Sequence, residues 1–176
     1  MRVSRVGSLV RSLAALLLAS SATLHAATLE LPKDAPFVRL EIPDSWPVTQ
    51  EVPEGVFVTT ADAFVFVVLV APTIKSRDDV TVALNQMVQG LVEKPDLKDV
   101  ASGEQEDWES DNGIWARGVR TDAQRTDGSA MVFVNQFLEI KPGQYLLVAT
   151  AGPAEADTAE EDNYEKVLAS IEAIAK

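Results

Sequence analysis

The stretch AMVFVNQFLEIKPGQYLLVATA, residues 130–151, decides the fold. Residues 130–140 and 145–151 are dominated by apolar side chains, many of them aromatic or β-branched, and read as strands. Between them Lys141-Pro142-Gly143-Gln144 carries Pro then Gly at its centre, the order a type II turn wants. A turn this short makes the two strands antiparallel neighbours.

Working outward from this hairpin, residues 114–121 read as a strand with Trp115 and Val119 on one face, and residues 122–129, ending at Asp127-Gly128, as a loop. Residues 96–113 gather Glu104, Glu106, Asp107, Glu109 and Asp111 around Trp108, as a charged strand edge or loop closed by Asp111-Asn112-Gly113. Before it lies a helix. Ser76 and Asp79 have capping-box spacing, Val80, Leu84, Met87, Val88 and Leu91 share one face, and Pro95 stops it. Residues 64–70, FVFVVLV, are apolar on both sides, the pattern of a strand whose two faces are both covered.

Residues 55–60 read as another strand. Residues 37–42 alternate, with Val38, Leu40 and Ile42 opposite Arg39 and Glu41, and lead into the turn Pro43-Asp44-Ser45-Trp46-Pro47. Residues 27–36 read as a short polar lead. At the far end Gly152-Pro153 breaks the pattern. A last helix is expected from Asp157 or Thr158, with Thr158 and Glu161 at capping spacing and a stripe of Tyr164, Val167, Leu168, Ile171 and Ile174. The order β-β-β-α-(β)-β-β-β-α, with mostly short links, predicts an α+β class with a mostly antiparallel central sheet flanked by helices.

The first residues carry Arg2, Arg5 and Arg11 and no acid, then an apolar run at 13–18, then small residues ending at Ala26 and Ala27. That is the order of a cleavable secretory signal peptide, 1–26, with a cut after Ala26 preferred and one after Ala22 as the alternative. The apolar run is too short to span a bilayer, which needs about 20 residues, so no stable membrane insertion is expected after cleavage. Residues 27–176 then form a single exported domain, periplasmic in a Gram-negative cell and secreted elsewhere. Losing three arginines takes the formal charge from −12 to −15, which disfavours nucleic acid and anionic membrane faces.

The chain has no cysteine, and its one histidine, His25, falls in the removed segment when the cut follows Ala26. The mature domain therefore lacks the parts of a Ser-His-Asp triad, a Cys-His pair, a His/Cys zinc site or CXXC redox chemistry. No Ser-x-x-Lys spacing and no singled-out carboxylate pair points to hydrolysis, so the expected class is a non-enzyme, with a carboxylate-based hydrolase as the distant alternative.

The opening Phe37-Val38-Arg39-Leu40-Glu41-Ile42-Pro43-Asp44-Ser45-Trp46 resembles the group that holds the PsbP subunit of photosystem II, the Ran-binding protein Mog and envelope proteins of the DcrB type. The strand at 64–70, the helix at 80–91, the hairpin around Pro142-Gly143 and the terminal helix follow in that group's order. The resemblance implies a central antiparallel sheet with helices on its faces and a protein-binding or accessory role. It carries over no catalytic residue.

Two sets of residues are singled out for function. Trp108, flanked by Asp107 and Glu109, suits a cationic, partly apolar partner, and Trp46 is the second partner-binding candidate, set against a packing role at the end of the core. Asp107, Glu109 and Asp111 have the alternate spacing of a Ca²⁺ loop, but the glycine is Gly113 rather than the residue after Asp111, and Gly118 stands where the closing Glu belongs. No other cofactor is implied. The expected function is an exported accessory or protein-binding module acting on an envelope protein, with small-ligand or Ca²⁺ binding through residues 104–111 as the alternative.

Overall fold

The structure, a computed structural model, describes residues 27–110 and 112–175, so the expected signal peptide and Asp111 lie outside the described residues. The elements are β1 (Ala27–Leu31), β2 (Val38–Ile42), β3 (Val48–Val52), β4 (Gly55–Thr59), β5 (Val65–Val70), α1 (Arg77–Val92), β6 (Leu97–Ser102), β7 (Glu106–Glu109), β8 (Trp115–Arg125), β9 (Ala130–Lys141), β10 (Gln144–Pro153), α2 (Ala154–Ser170) and β11 (Glu172–Ala173). The large sheet has the order β3-β4-β5-β10-β9-β8-β6, with β7 also paired to β8, and a small sheet has the order β1-β2-β11. Every pairing among the described strands is antiparallel, so the expected α+β class with a mostly antiparallel sheet holds.

The hairpin read first is the middle of the molecule. Gly143 has φ +74, which the third position of a type II turn requires and glycine supplies without strain. β10 pairs β9 on one side and β5 on the other, so its alternate residues feed both faces of the sheet. The helix signals at 76–79 also hold. The Asp79 amide donates to Ser76 Oγ at 3.2 Å and the Ser76 amide donates to Asp79 Oδ2 at 2.9 Å, a reciprocal box worth on the order of 1 kcal/mol.

Pairing partners reshape several segments. Residues 27–31 form a strand and not a lead, because Leu29 and Leu31 sit opposite Leu40 and Val38 and Leu31 is buried. Residues 48–52 form β3, a polar edge strand on β4. The expected loop at 122–129 shrinks to a turn over 126–129. β8 runs on to Arg125 with Thr121 and Ala123 buried and Asp122 and Gln124 exposed, and Gly128 turns the chain at φ +92. The acidic stretch resolves into β6 and β7 along the β8 edge.

α2 starts earlier than expected, at Ala154, with Pro153 at its N-cap and no side-chain cap. Thr158 is inside the helix and its hydroxyl donates to the Ala154 carbonyl at 3.1 Å. Ile171 leaves the helix in an extended conformation, fully buried, and β11 then joins β2.

One face of the large sheet carries α2 and the small sheet, with Val38, Leu40, Phe64, Phe66, Val148 and Val167 among the buried side chains between them. Trp46 packs there on Phe64 and Phe66, with ring centroids 5.5 and 4.9 Å apart. The opposite face carries α1, whose Val80 and Leu84 pack on Val119, Phe137 and Tyr145. α1 lies mainly over β6, β8 and β9. The expectation that both faces of residues 64–70 are covered holds fully on one side and in part on the other. Phe66 and Val68 are fully buried, while Val65, Val67 and Leu69 are half-buried beside α1.

Two glycines test this packing in opposite directions. A Cβ on Gly55 would lie 1.9 Å from the Val68 carbonyl oxygen, whereas one on Gly90 in α1 meets nothing within 4 Å. Gly55→Ala is expected to cost about 1–3 kcal/mol through overpacking, and Gly90→Ala to gain up to about 1 kcal/mol from helix propensity. Urea denaturation of both variants checks this, and a Gly55→Ala protein as stable as the parent would contradict the β4–β5 register.

Candidate functional site

Register decides which acids of the former loop face which way. Glu106 and Trp108 of β7 stand opposite Gly118 and Ala116, on the α2 side of the sheet, whereas Asp107 and Glu109 stand opposite Arg117 and Trp115, on the α1 side. Arg120, two residues beyond Gly118, shares the α2 side. From α2 itself Asp157, Glu161 and Tyr164 lie at i, i+4 and i+7 and face the same space.

Together they bound a groove between α2 and strands β7, β8 and β9. It consists of three hollows of about 170, 420 and 240 Å³. Arg120 and Val134 line both the first and the second; Trp108 lines both the second and the third. Gly118 and Gln136 lie in the second hollow and Leu168 in the third. Gln136 Nε2 donates to the Tyr164 hydroxyl and ties the wall to the sheet.

The groove is acidic. Arg120, its cation, reaches Asp122 at 3.3 Å and Asp157 at 3.2 Å, so its charge is matched within the protein. Glu104, Glu106 and Glu161 make no ion pair with another described residue. Trp108 is half-buried against the main core and keeps part of its indole on the groove wall.

Trp46 does not reach a surface where a partner would meet it. It is 3% exposed, and its indole N–H donates to Glu160 Oε2 at 2.7 Å beneath α2. Sequence flanks explain the contrast, since Trp46 ends an alternating apolar strand and Trp108 sits between acids.

Of the Ca²⁺ candidates, Asp107 is engaged on the α1 side. Arg117 Nε donates to its Oδ1 at 2.5 Å and Arg117 Nη2 to its Oδ2 at 3.0 Å, and the Trp115 indole N–H reaches Oδ2 at 3.3 Å. These hydrogen bonds, Arg117's first, hold the Asp107 carboxyl below the usual carboxylate range. Glu109 shares that side, and Asp111 lies outside the described residues. Among the described residues no three His, Cys, Asp or Glu side chains converge as a metal site. Arg77 and Arg117 lie 4.3 and 5.5 Å from the Trp115 ring centre, so this corner is a cation–π stack built into the α1 face. Arg117 and Arg120 point to opposite faces, as their spacing on a strand predicts.

No family model and no curated protein matches the chain. Solved structures do. The cyanobacterial PsbP (CyanoP) of Synechocystis sp. PCC 6803 superposes with a TM-score of 0.58 at 12% identity, covering 88% of this chain and 96% of that one. LpqN of Mycobacterium tuberculosis, described as involved in cell envelope biogenesis, gives 0.56 at 14% identity, covering 86% and 92%. The Ran-binding protein Mog1p of Saccharomyces cerevisiae gives 0.53 at 9% identity, covering 85% and 95%. The fold is that of the PsbP/Mog group, as the opening motif and element order implied. Among the described residues no helix is long and apolar enough to cross a membrane.

The chain's two tyrosines give the packing on either face a pH signature. Burial, then the hydrogen bond to Glu139, pushes the Tyr145 phenol up to about 12. Burial, then Asp157, also raises Tyr164. A phenol that stays protonated longer in the folded state adds stability that is fully present below its unfolded value near 10 and is lost as pH rises towards 12. Ultraviolet titration is expected to show no tyrosinate in the folded protein near pH 10.5, about half a unit above the ordinary value. A normal curve centred on 10 would contradict this packing.

Proposed function

We propose that this chain is a non-enzymatic binding module of the cell envelope, which takes a cationic, partly apolar segment of a partner protein in the groove beside α2. One observation carries the reading: Trp108 lines two joined hollows while Glu104, Glu106 and Glu161, none of them ion-paired among the described residues, stand along the same groove. A half-exposed indole supplies apolar contact area, and the surrounding acids favour approach of a basic segment. The expected signal peptide supports an envelope location, and the want of His and Cys in residues 27–176 supports binding over catalysis. LpqN, of the same fold, is described as involved in cell envelope biogenesis, and Mog1p as Ran-binding.

The test is recovery of cross-linked partners by the tagged protein in its own envelope fraction. A specific partner is expected to weaken at least tenfold, about 1.4 kcal/mol, in Trp108→Ala, as removal of an aromatic hot spot does. It is expected to weaken again in Glu104→Gln/Glu106→Gln and as salt rises to about 0.5 M, where screening shortens the reach of the acids. A partner retained equally by all three would overturn the reading.

A further inference from the structure

The α1 side of the sheet holds a surface that the groove does not use. From Val80 to Val92 the helix carries no charged residue, although 24% of the chain is charged. Its solvent face presents Val82, Asn85, Gln86, Gln89 and Val92. Val82 and Val92, 55% and 53% exposed, are the exposed large hydrophobics of the described residues, and both lie on this one helix.

Beside the helix runs a strip of half-covered sheet. Register aligns Phe57, Val67 and Ala149 in one cross-strand row and Leu69 and Leu147 in the next, all half-buried. Hollows of about 420 and 290 Å³ follow this strip along α1, from Ile74 and Ala83 to Leu91 and Lys94. The floor itself holds no charged side chain, and Lys94 marks its far end.

Dimensions and charge select the occupant. The strip spans β10, β5 and β4, about 10 Å between its outer strands at a spacing of about 4.8 Å, which is the width of one helix. An acidic molecule meeting itself repels except through a face without charge, and here the uncharged stretch of α1 from Val80 to Val92 lies next to an uncharged trough of one helix's width. The two are self-complementary under a two-fold axis, the condition for an isologous interface.

We propose that the chain forms a symmetric homodimer in which the solvent face of α1 of each copy lies in the trough over β4, β5 and β10 of the other. The two helices then shield each other's sheet strip, and the α2-side grooves remain open on the outer surfaces of the pair.

Sedimentation of the purified protein at about 100 µM, well above the Kd of a standard-sized interface, tests this. The parent is expected to sediment as a dimer and Val82→Lys/Val92→Lys as a monomer with the parent's circular dichroism, since both side chains are already exposed. Leu147→Lys, in the trough, is expected to weaken the dimer at least tenfold. Trp108→Ala is expected to stay dimeric, which separates this interface from the partner groove. A monomeric parent, or a Val82→Lys/Val92→Lys protein that remains a dimer, would overturn the proposal.

Discussion

An antiparallel sheet this wide has two apolar faces to keep from water, and the described residues supply two helices and one small sheet to do it. The allocation is unequal. α2 and β1-β2-β11 both go to one face, where the main core forms around Trp46, Phe64 and Phe66. α1 alone goes to the other and shields β6, β8 and β9. β10 receives apolar residues on both sides, Leu146 and Val148 towards α2 and Leu147 and Ala149 towards the strip beside α1. The two surfaces proposed for binding are the consequences of that allocation. One is the groove where α2 ends its cover, and the other is the strip that α1 covers only in part.

The two surfaces differ in chemistry because they are made by different elements. The groove is bounded by β7 and by the first turns of α2, where acids sit well with the helix dipole and on a solvated edge. Its charge follows from those local preferences, and Trp108 is the apolar side chain set among them. The strip is floored by β4, β5 and β10, whose Val, Leu and Phe residues pack in rows across the strands. Polar anchoring gathers at the corner where Arg77, Arg117, Asp107 and Glu139 surround Trp115 and Tyr145, and Gln105 adds bonds to Thr81 and Asn85 of α1.

What the sequence revealed follows the range of the interactions. The Pro142-Gly143 turn and the Ser76–Asp79 box are local, and both hold as read. β1 and β3 were invisible because their residues become strand only through partners, Leu29 opposite Leu40 and Val52 opposite Gly55. The start of α2 was misplaced by the Thr158–Glu161 spacing, which sits within a helix that begins behind Pro153. Trp108 was legible as a surface residue from its acidic flanks, whereas Asp157 and Glu161 as its companions were not, since the groove joins segments some fifty residues apart. Residues 64–70 posed the hardest case. An apolar run on both faces reads the same whether the second face is covered by its own chain or by another molecule.

Carbene footprinting across a dilution series measures that distinction most directly. The account predicts that Leu69, Leu147 and Phe57 take label in dilute protein and lose it as concentration rises, while the buried Val38 and Val167 stay unlabelled throughout. Protection of Leu69 and Leu147 that persists at the lowest concentration would contradict it, because the chain would then be covering the strip by itself.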